Sequence, residues 1–194
     1  MAGRATPTLV LASRSPQRRA ILEQLAVRFT IRPVDVEEIE DGPPHEAASA
    51  NALRKATAAA WHAGPGQAVL GVDTVVALDG RIWGKPADGE EAARTLSALA
   101  GRTHEVLSGL ALIEDGREAR TALARTRVRF RALDDALVAG YVATGEWEGR
   151  AGGYAIQGRG ALLVAGIEGD YFNVVGLPVA ALAELWPALL DLGA

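Results

Sequence analysis

Two hydrophobic periods alternate along this chain, and the places where one gives way to the other divide it into elements. Thr8 to Ala12 (TLVLA) is an unbroken apolar run and reads as a first buried strand. Ser15-Pro16 then opens a helix through about Ala26, with Ser as N-cap, Pro at the first helical position, and Ile21, Leu22 and Leu25 on the core face. Phe29 to Val36 is strand-like. Asp41-Gly42-Pro43-Pro44 forces a loop before an Ala-rich helix of about Glu46 to His62, whose expected buried stripe includes Leu53, Ala56, Ala60 and Trp61. Gly64-Pro65-Gly66 ends that helix. Val69 to Leu78 is the most β-rich run, joined through Asp79-Gly80 to Arg81-Ile82-Trp83 in a hairpin pattern. Asp88 and Glu91 form a capping box for a helix that Gly101 stops.

Strands of Glu105 to Ile113 and about Ala119 to Phe130 flank a turn at Asp115-Gly116, and a helix of about Asp134 to Ala143 follows. Ala161 to Ile167 reads as a further strand, and Pro178 to Leu192 as a closing helix bent or interrupted by Pro187. Hairpin-joined strands among helices predict a mixed sheet in an α/β or α+β domain. With no repeat, linker or composition break, one domain over residues 1–194 is expected.

Composition narrows the classes. In 194 residues, 49% hydrophobic, there are 20 Lys+Arg against 24 Asp+Glu, a net charge of −4, which excludes a disordered polyelectrolyte. The same balance argues against a domain built to coat a nucleic-acid backbone. With no Cys, disulfides, thiolate metal sites and cysteine nucleophiles are excluded, and a reducing cytoplasm is expected. The apolar run before Ser13 is too short for a signal sequence, and no segment approaches the roughly 18 apolar residues of a membrane span. Gly is in surplus at 22 residues, clustered from Gly145 to Gly176.

Several residues then stand out. Arg18 and Arg19 lie in the first turn of a helix, where the macrodipole disfavours cations by roughly 0.3–1 kcal/mol. Either an anion held by free N–H groups, by Ser13 and Ser15 and by the guanidinium forks offsets that, phosphate fitting best, or Arg19 pairs with Glu23 while Arg18 is solvated. Asp73 sits in the most apolar strand. An unpaired carboxylate there is costly, so it faces a cation, a metal or a wet cleft, unless alternation turns it to solvent.

Only two lysines, Lys55 and Lys85, survive in an Arg-rich chain, which suggests a need for a compact point charge, although Lys55 also suits an ordinary solvated helix face. Glu37 and Glu38 could join Asp73 as oxygen ligands or simply form an acidic turn. Gln157, among glycines, could read a base edge. His45, His62 and His104 lack metal-ligand spacing, and Arg125, Arg127, Arg129 and Arg131 alternate as the solvent face of a strand would, more than as a nucleic-acid stripe.

Six blocks in order, LASRSPQRRAIL, VDVEE, LRKA, GVDTVVALDGRIWGKP, EAARTLSALAGRTHEVLSG and AGGYAIQGRGALLVAGIEGDYFNVVGLP, resemble the Maf family of nucleoside triphosphate pyrophosphatases over nearly the whole length. The resemblance implies a Maf/Ham1-like α/β fold, an elongated mixed sheet with flanking helices, a cleft between two lobes, and usually a homodimer. It implies cleavage of a nucleoside triphosphate to monophosphate and pyrophosphate with a divalent cation, Mg²⁺ or Mn²⁺. Carried onto this chain, it makes Asp73 the proton acceptor, with Lys55 and Lys85 as the two lysines, Ser13, Arg18 and Arg19 in the phosphate loop, and Glu38 beside the metal with Asp73.

The branch preferring dTTP and UTP has Arg after Ser-Pro, Thr after the acidic residue and Gln in the late glycine block. Here these places hold Gln17, Thr74 and Gln157, so two of three match, while the Trp, Gln and Glu of the methylated-guanine branch match nowhere. The expected substrates are therefore pyrimidine triphosphates, including modified ones, in house-cleaning of nucleotide pools. No stable nucleic-acid partner is expected. The rival reading is a non-catalytic regulator of septum formation acting through protein or nucleic-acid contacts.

Overall fold

The computed structural model of this chain describes residues 8–191. Leu192, the expected end of the closing helix, lies outside them. β1 (Thr8–Leu11) is the parallel partner of both β2 (Phe29–Ile31) and β3 (Gln67–Leu78). Parallel neighbours need crossovers, supplied by α1 (Pro16–Gln24) between β1 and β2 and by α2 (Pro44–Ala60) between β2 and β3. From β3 onward the sheet is antiparallel through β5 (Thr103–Glu114), β6 (Arg120–Phe130) and β7 (Val164–Glu168), while β4 (Arg81–Trp83) folds back on β3. The described strands thus form one seven-stranded mixed sheet, in the order β2-β1-β3-β5-β6-β7 with β4 on β3. Asp79 and Gly80 both take positive φ, 54° and 75°, as a two-residue hairpin turn of matching twist requires.

Among the described residues, α2 is the one helix on one face of the sheet. Its inward residues are small, Ala48, Ala52, Ala56 and Ala59, and the strands beneath answer with glycine. A Cβ on Gly71 would stand 2.2 Å from the Ala52 carbonyl oxygen, and one on Gly109 would stand 2.3 Å from that of Ala48. Helix backbone therefore lies directly against sheet backbone. The opposite face carries two separate apolar clusters. Ile21 and Leu22 of α1 pack with Leu9, Leu70, Leu110 and with Leu182 of α6 (Val179–Leu185). Leu96 of α3 (Gly89–Leu99) and Val138 of α4 (Asp135–Val142) pack with Val76, Val128 and Phe130.

Four expectations are corrected by the structure. Leu53 and Trp61 are 39% and 87% exposed, not buried, because the glycine notch beneath α2 admits only methyl-sized side chains. β2 stops at Ile31: Arg32 still donates its N–H to the Leu11 carbonyl, but Pro33 has none to give, and the segment leaves the sheet. The closing helix ends at Leu185, with a 3-10 turn at Pro187–Leu190, since the proline ring cannot continue an α-helix. The expected strand from Ala161 begins only at Val164, after a 3-10 turn at Arg159–Leu163, and a short helix, α5 (Tyr171–Val175), follows β7.

Candidate active site

The site begins at a gap in the strand ladder. β1 pairs with β3 as far as Leu70, and β4 takes over that edge only at Val76. Between them the edge of β3 has no strand partner, and a cleft of about 750 Å³ opens there, at the carboxyl end of β1. Arg18 of α1 reaches into the gap and donates from Nη1 to the Val72 carbonyl at 2.9 Å. It also donates from Nε to the Gly176 carbonyl at 2.8 Å, from Nη1 to Ser13 Oγ at 2.9 Å and from Nη2 to Thr74 Oγ1 at 3.1 Å. Four of its five donors are thereby spent on protein. Burial pushes this guanidinium down from its ordinary value, and the Asp73 and Glu38 carboxylates push it back up.

Ser15 is the N-cap of α1, its hydroxyl accepting from the Arg18 N–H at 3.4 Å and donating to Gln17 Oε1 at 3.1 Å. Thr74 Oγ1 shares a 2.8 Å hydrogen bond with Ser108. Ser13, Ser15, Gln17, Arg18 and Thr74 are thus one connected cluster on the cleft wall, and Lys85 and Gln157 line the same cleft. Arg19 is not brought there. It turns outward and donates from Nε to Glu23 at 2.7 Å, the i,i+4 pair that the sequence offered as the alternative.

Opposite Arg18, α2 holds the acidic half. Asp73 alternates onto the α2 side of β3 and is 6% exposed, so it faces a cation and not solvent. Lys55, itself 9% exposed, donates from Nζ to Asp73 Oδ1 at 2.6 Å and to Glu38 Oε1 at 2.7 Å. One turn earlier, Asn51 donates from Nδ2 to Asp73 Oδ2 at 3.1 Å. Asn51 also exchanges hydrogen bonds with both backbone groups of Ile39, at 2.8 and 3.0 Å, and Arg54 donates to the Glu37 carbonyl at 2.7 Å. Three residues of α2 therefore pin the segment that carries Glu38, which has no ladder of its own. Asp73 lies one layer behind the cleft wall, while Glu38, Lys55 and Thr74 form it.

The two carboxylates converge on a single ammonium, so both can reach one cationic centre. Among the described residues no third His, Asp or Glu joins them in a metal-binding group. A hard ion such as Mg²⁺ ordinarily takes one or two carboxylates and completes its shell with water and substrate phosphate oxygens, and Glu38 with Asp73 fits that donor set.

Asn51 and Arg150, which also lines the cleft, were not singled out from the sequence. Asn51 had a signal available: it is in phase with Ala48, Ala52, Lys55 and Ala59, a stripe of small residues that marks the true buried face. Arg150 had none beyond its place beside Gly152 and Gly153. His104 proves to be a core residue. It packs edge-on against Phe130 and Tyr154 and shares a 2.9 Å hydrogen bond from Nε2 to the Tyr154 hydroxyl, which itself borders the cleft.

Comparison with known proteins adds to this geometry. The profile of the family described as Maf-like protein matches residues 8–189. The dTTP/UTP pyrophosphatase of Moorella thermoacetica is 51% identical over 181 residues, 91% of this chain and 92% of that protein. A dTTP/UTP pyrophosphatase of Myxococcus xanthus is 48% identical over 184 residues, 91% of this chain and 90% of its own length. Among solved structures, a HAM1 protein from Coxiella burnetii aligns at 21% identity and a TM-score of 0.46, covering 64% of this chain and 73% of its own.

Proposed function

This chain belongs to the Maf-like protein family, and from that premise we propose that it is a nucleoside triphosphate pyrophosphatase with a preference for dTTP and UTP. The observation that carries the reading is Lys55 bridging Asp73, just behind the cleft wall, to Glu38 on it, in a cleft that Lys85 and Gln157 also line. In this reaction water attacks the α-phosphorus, the bond from that phosphorus to the bridging oxygen breaks, and pyrophosphate departs. Asp73 takes the proton of the attacking water. It accepts one hydrogen bond at each oxygen from Asn51 and Lys55, and a carboxylate with about four acceptor positions keeps room for another.

Lys55 holds Asp73 and Glu38 together against their mutual repulsion and offers positive charge to the α-phosphate. Lys85 faces the outer phosphates. Arg18 acts chiefly by fixing Ser13, Thr74 and the β3 edge, since its donors are already committed. A Mg²⁺ or Mn²⁺ ion held by Glu38 and Asp73 would supply charge neutralisation and acidify the water. Base selection is assigned to Gln17, Thr74 and Gln157, although Gln17 is hydrogen-bonded to Ser15 and lacks the charge of an arginine.

The reading has the protein act in the cytoplasm, as a homodimer without a stable nucleic-acid partner. The lack of cysteine supports a reducing compartment. Among the described residues no helix is long and apolar enough to cross a membrane. On the exposed arginine stripe of β6, Arg125 pairs with Glu105 and Arg127 with Glu168, which supports a solvated face. The relatives' names do not favour a purely regulatory, non-catalytic role.

The test is incubation with a panel of nucleoside triphosphates and Mg²⁺ or Mn²⁺, with products separated by chromatography. Monophosphate and pyrophosphate in equal amounts, formed fastest from dTTP and UTP, is the expected result. Orthophosphate in place of pyrophosphate, or no turnover of any nucleotide, overturns it.

A further inference from the structure

Among the described residues five cations line the cleft: Arg14, Arg18, Lys55, Lys85 and Arg150. Three are already engaged. Arg14 pairs with Asp35 across the rim at 2.9 Å, Arg18 is bound to four protein acceptors, and Lys55 lies between Glu38 and Asp73. Lys85 and Arg150 make no side-chain hydrogen bond or ion pair among the described residues, and Nε of Arg150 is buried without a partner. Neither neighbouring acid relieves it. Glu146 spends its carboxylate on the N–H groups of Arg159 and Gly160, at 3.0 and 3.2 Å, and Glu148 forms no ion pair with it. A buried, unpaired donor on a charged group is costly, and such a group is stabilised by an anion that accepts from it.

The loops bearing the two free cations are joined. Gly152 donates its N–H to the Gly84 carbonyl at 2.9 Å, one residue from Lys85 and two from Arg150. A Cβ on Gly152 would meet Val76 at 2.8 Å, and one on Gly153 would meet Pro86 at 3.1 Å. Both glycines take positive φ, 70° and 67°, so the approach depends on their lacking side chains. Two adjoining loops thus bring a point charge and a guanidinium fork to one cleft, both without an acceptor among the described residues.

We propose that Arg150 is a substrate-binding residue which, with Lys85, receives the outer two phosphates of the triphosphate and the pyrophosphate that leaves. This rests on the pyrophosphatase reading for its substrate. A planar fork can grip two oxygens of a diphosphate in a fixed bidentate geometry, whereas a second lysine would offer only a rotatable point charge. The glycine pair after Arg150 then serves phosphate binding by bringing the fork against the Lys85 loop, while Gln157 faces the base.

The experiment is calorimetric titration of wild type, Arg150→Met and Arg150→Lys with inorganic pyrophosphate and, separately, with UMP, alongside steady-state kinetics and a thermal melt of each. In Arg150→Met, pyrophosphate affinity falls on the order of 10- to 100-fold and KM for UTP rises, while UMP affinity is retained, as expected for losing a charged hydrogen-bond pair. Arg150→Lys, which keeps the charge but not the fork, lies between. Unchanged pyrophosphate binding in Arg150→Met, or an equal loss for UMP and pyrophosphate, overturns the proposal. If wild type cleaves no nucleoside triphosphate, the pyrophosphatase reading fails by itself, and the pyrophosphate titration still decides whether Arg150 is an anion site.

Discussion

Asp73 is gripped from one side of one helix: Lys55 holds Oδ1 and Asn51, a turn away, holds Oδ2. Two donors at i and i+4 fix the plane of the carboxylate, and the Asn51 bonds to Ile39 fix Glu38 relative to it. Asp73→Asn preserves shape and leaves Lys55 paired with Glu38, so the protein still melts cooperatively. Its amide cannot take a proton, and kcat falls by about 10²- to 10⁴-fold in steady-state assays. A near-normal rate would remove Asp73 from the mechanism. Asp73 was legible in the sequence because a charge within an apolar run demands a partner. Arg18 and Arg19 were legible only as a pair of options, and the structure divides them: one is buried and bound to backbone, the other pairs with Glu23. Asn51 and Arg150 were not legible, since an amide in an Ala-rich helix and an arginine before glycines acquire meaning only from what tertiary packing sets opposite them.

The element that delivers the site is α2, and its position is set by absent side chains beneath it. Gly71 and Gly109 let the helix backbone touch β3 and β5, which brings Asn51 and Lys55 within reach of a residue embedded in the sheet. Gly71→Ala drives a methyl into the Ala52 carbonyl and either lifts α2 or bends β3. The expected loss is about 1–3 kcal/mol in urea denaturation, together with a fall in kcat as Lys55 and Asn51 move off Asp73. Gly140→Ala, in α4 with open space around it, is the contrasting case and is neutral or stabilising by about 0.5–1 kcal/mol. Equal midpoints for the two variants would show that the close approach does not matter. Hydrophobic periodicity found α2 and turned Ala56 inward correctly, but it also turned Leu53 and Trp61 inward, because it ranks Leu and Trp above Ala and carries no information about the depth of the surface below. Hairpins and caps were read correctly for the opposite reason. Asp79-Gly80 and the Asp88 cap, whose Oδ1 accepts from Glu91 N–H at 2.8 Å, are determined within a few residues of chain.

For the molecule as a whole, net charge was a poor guide: a chain of −4 lines its cleft with five cations among the described residues, and pairs many of its exposed arginines with acids. Its stability should also respond to pH through a residue unconnected with charge balance. Burial among Phe130 and Tyr154 pushes His104 down to about 4 from 6.5, so the folded protein keeps it neutral while the unfolded chain protonates it below about pH 6.5. Its stabilising effect is full above that pH and is lost as pH falls from 6.5 towards 4, by about 3 kcal/mol in all. Urea midpoints of His104→Phe should therefore drop less than those of wild type over that interval; parallel curves would contradict the assignment. The central claim concerns which phosphorus is attacked, and hydrolysis of UTP with Mg²⁺ in ¹⁸O-enriched water tests it most directly. Label found in UMP, with unlabelled pyrophosphate, is the predicted result; label in pyrophosphate, or release of orthophosphate, would contradict it.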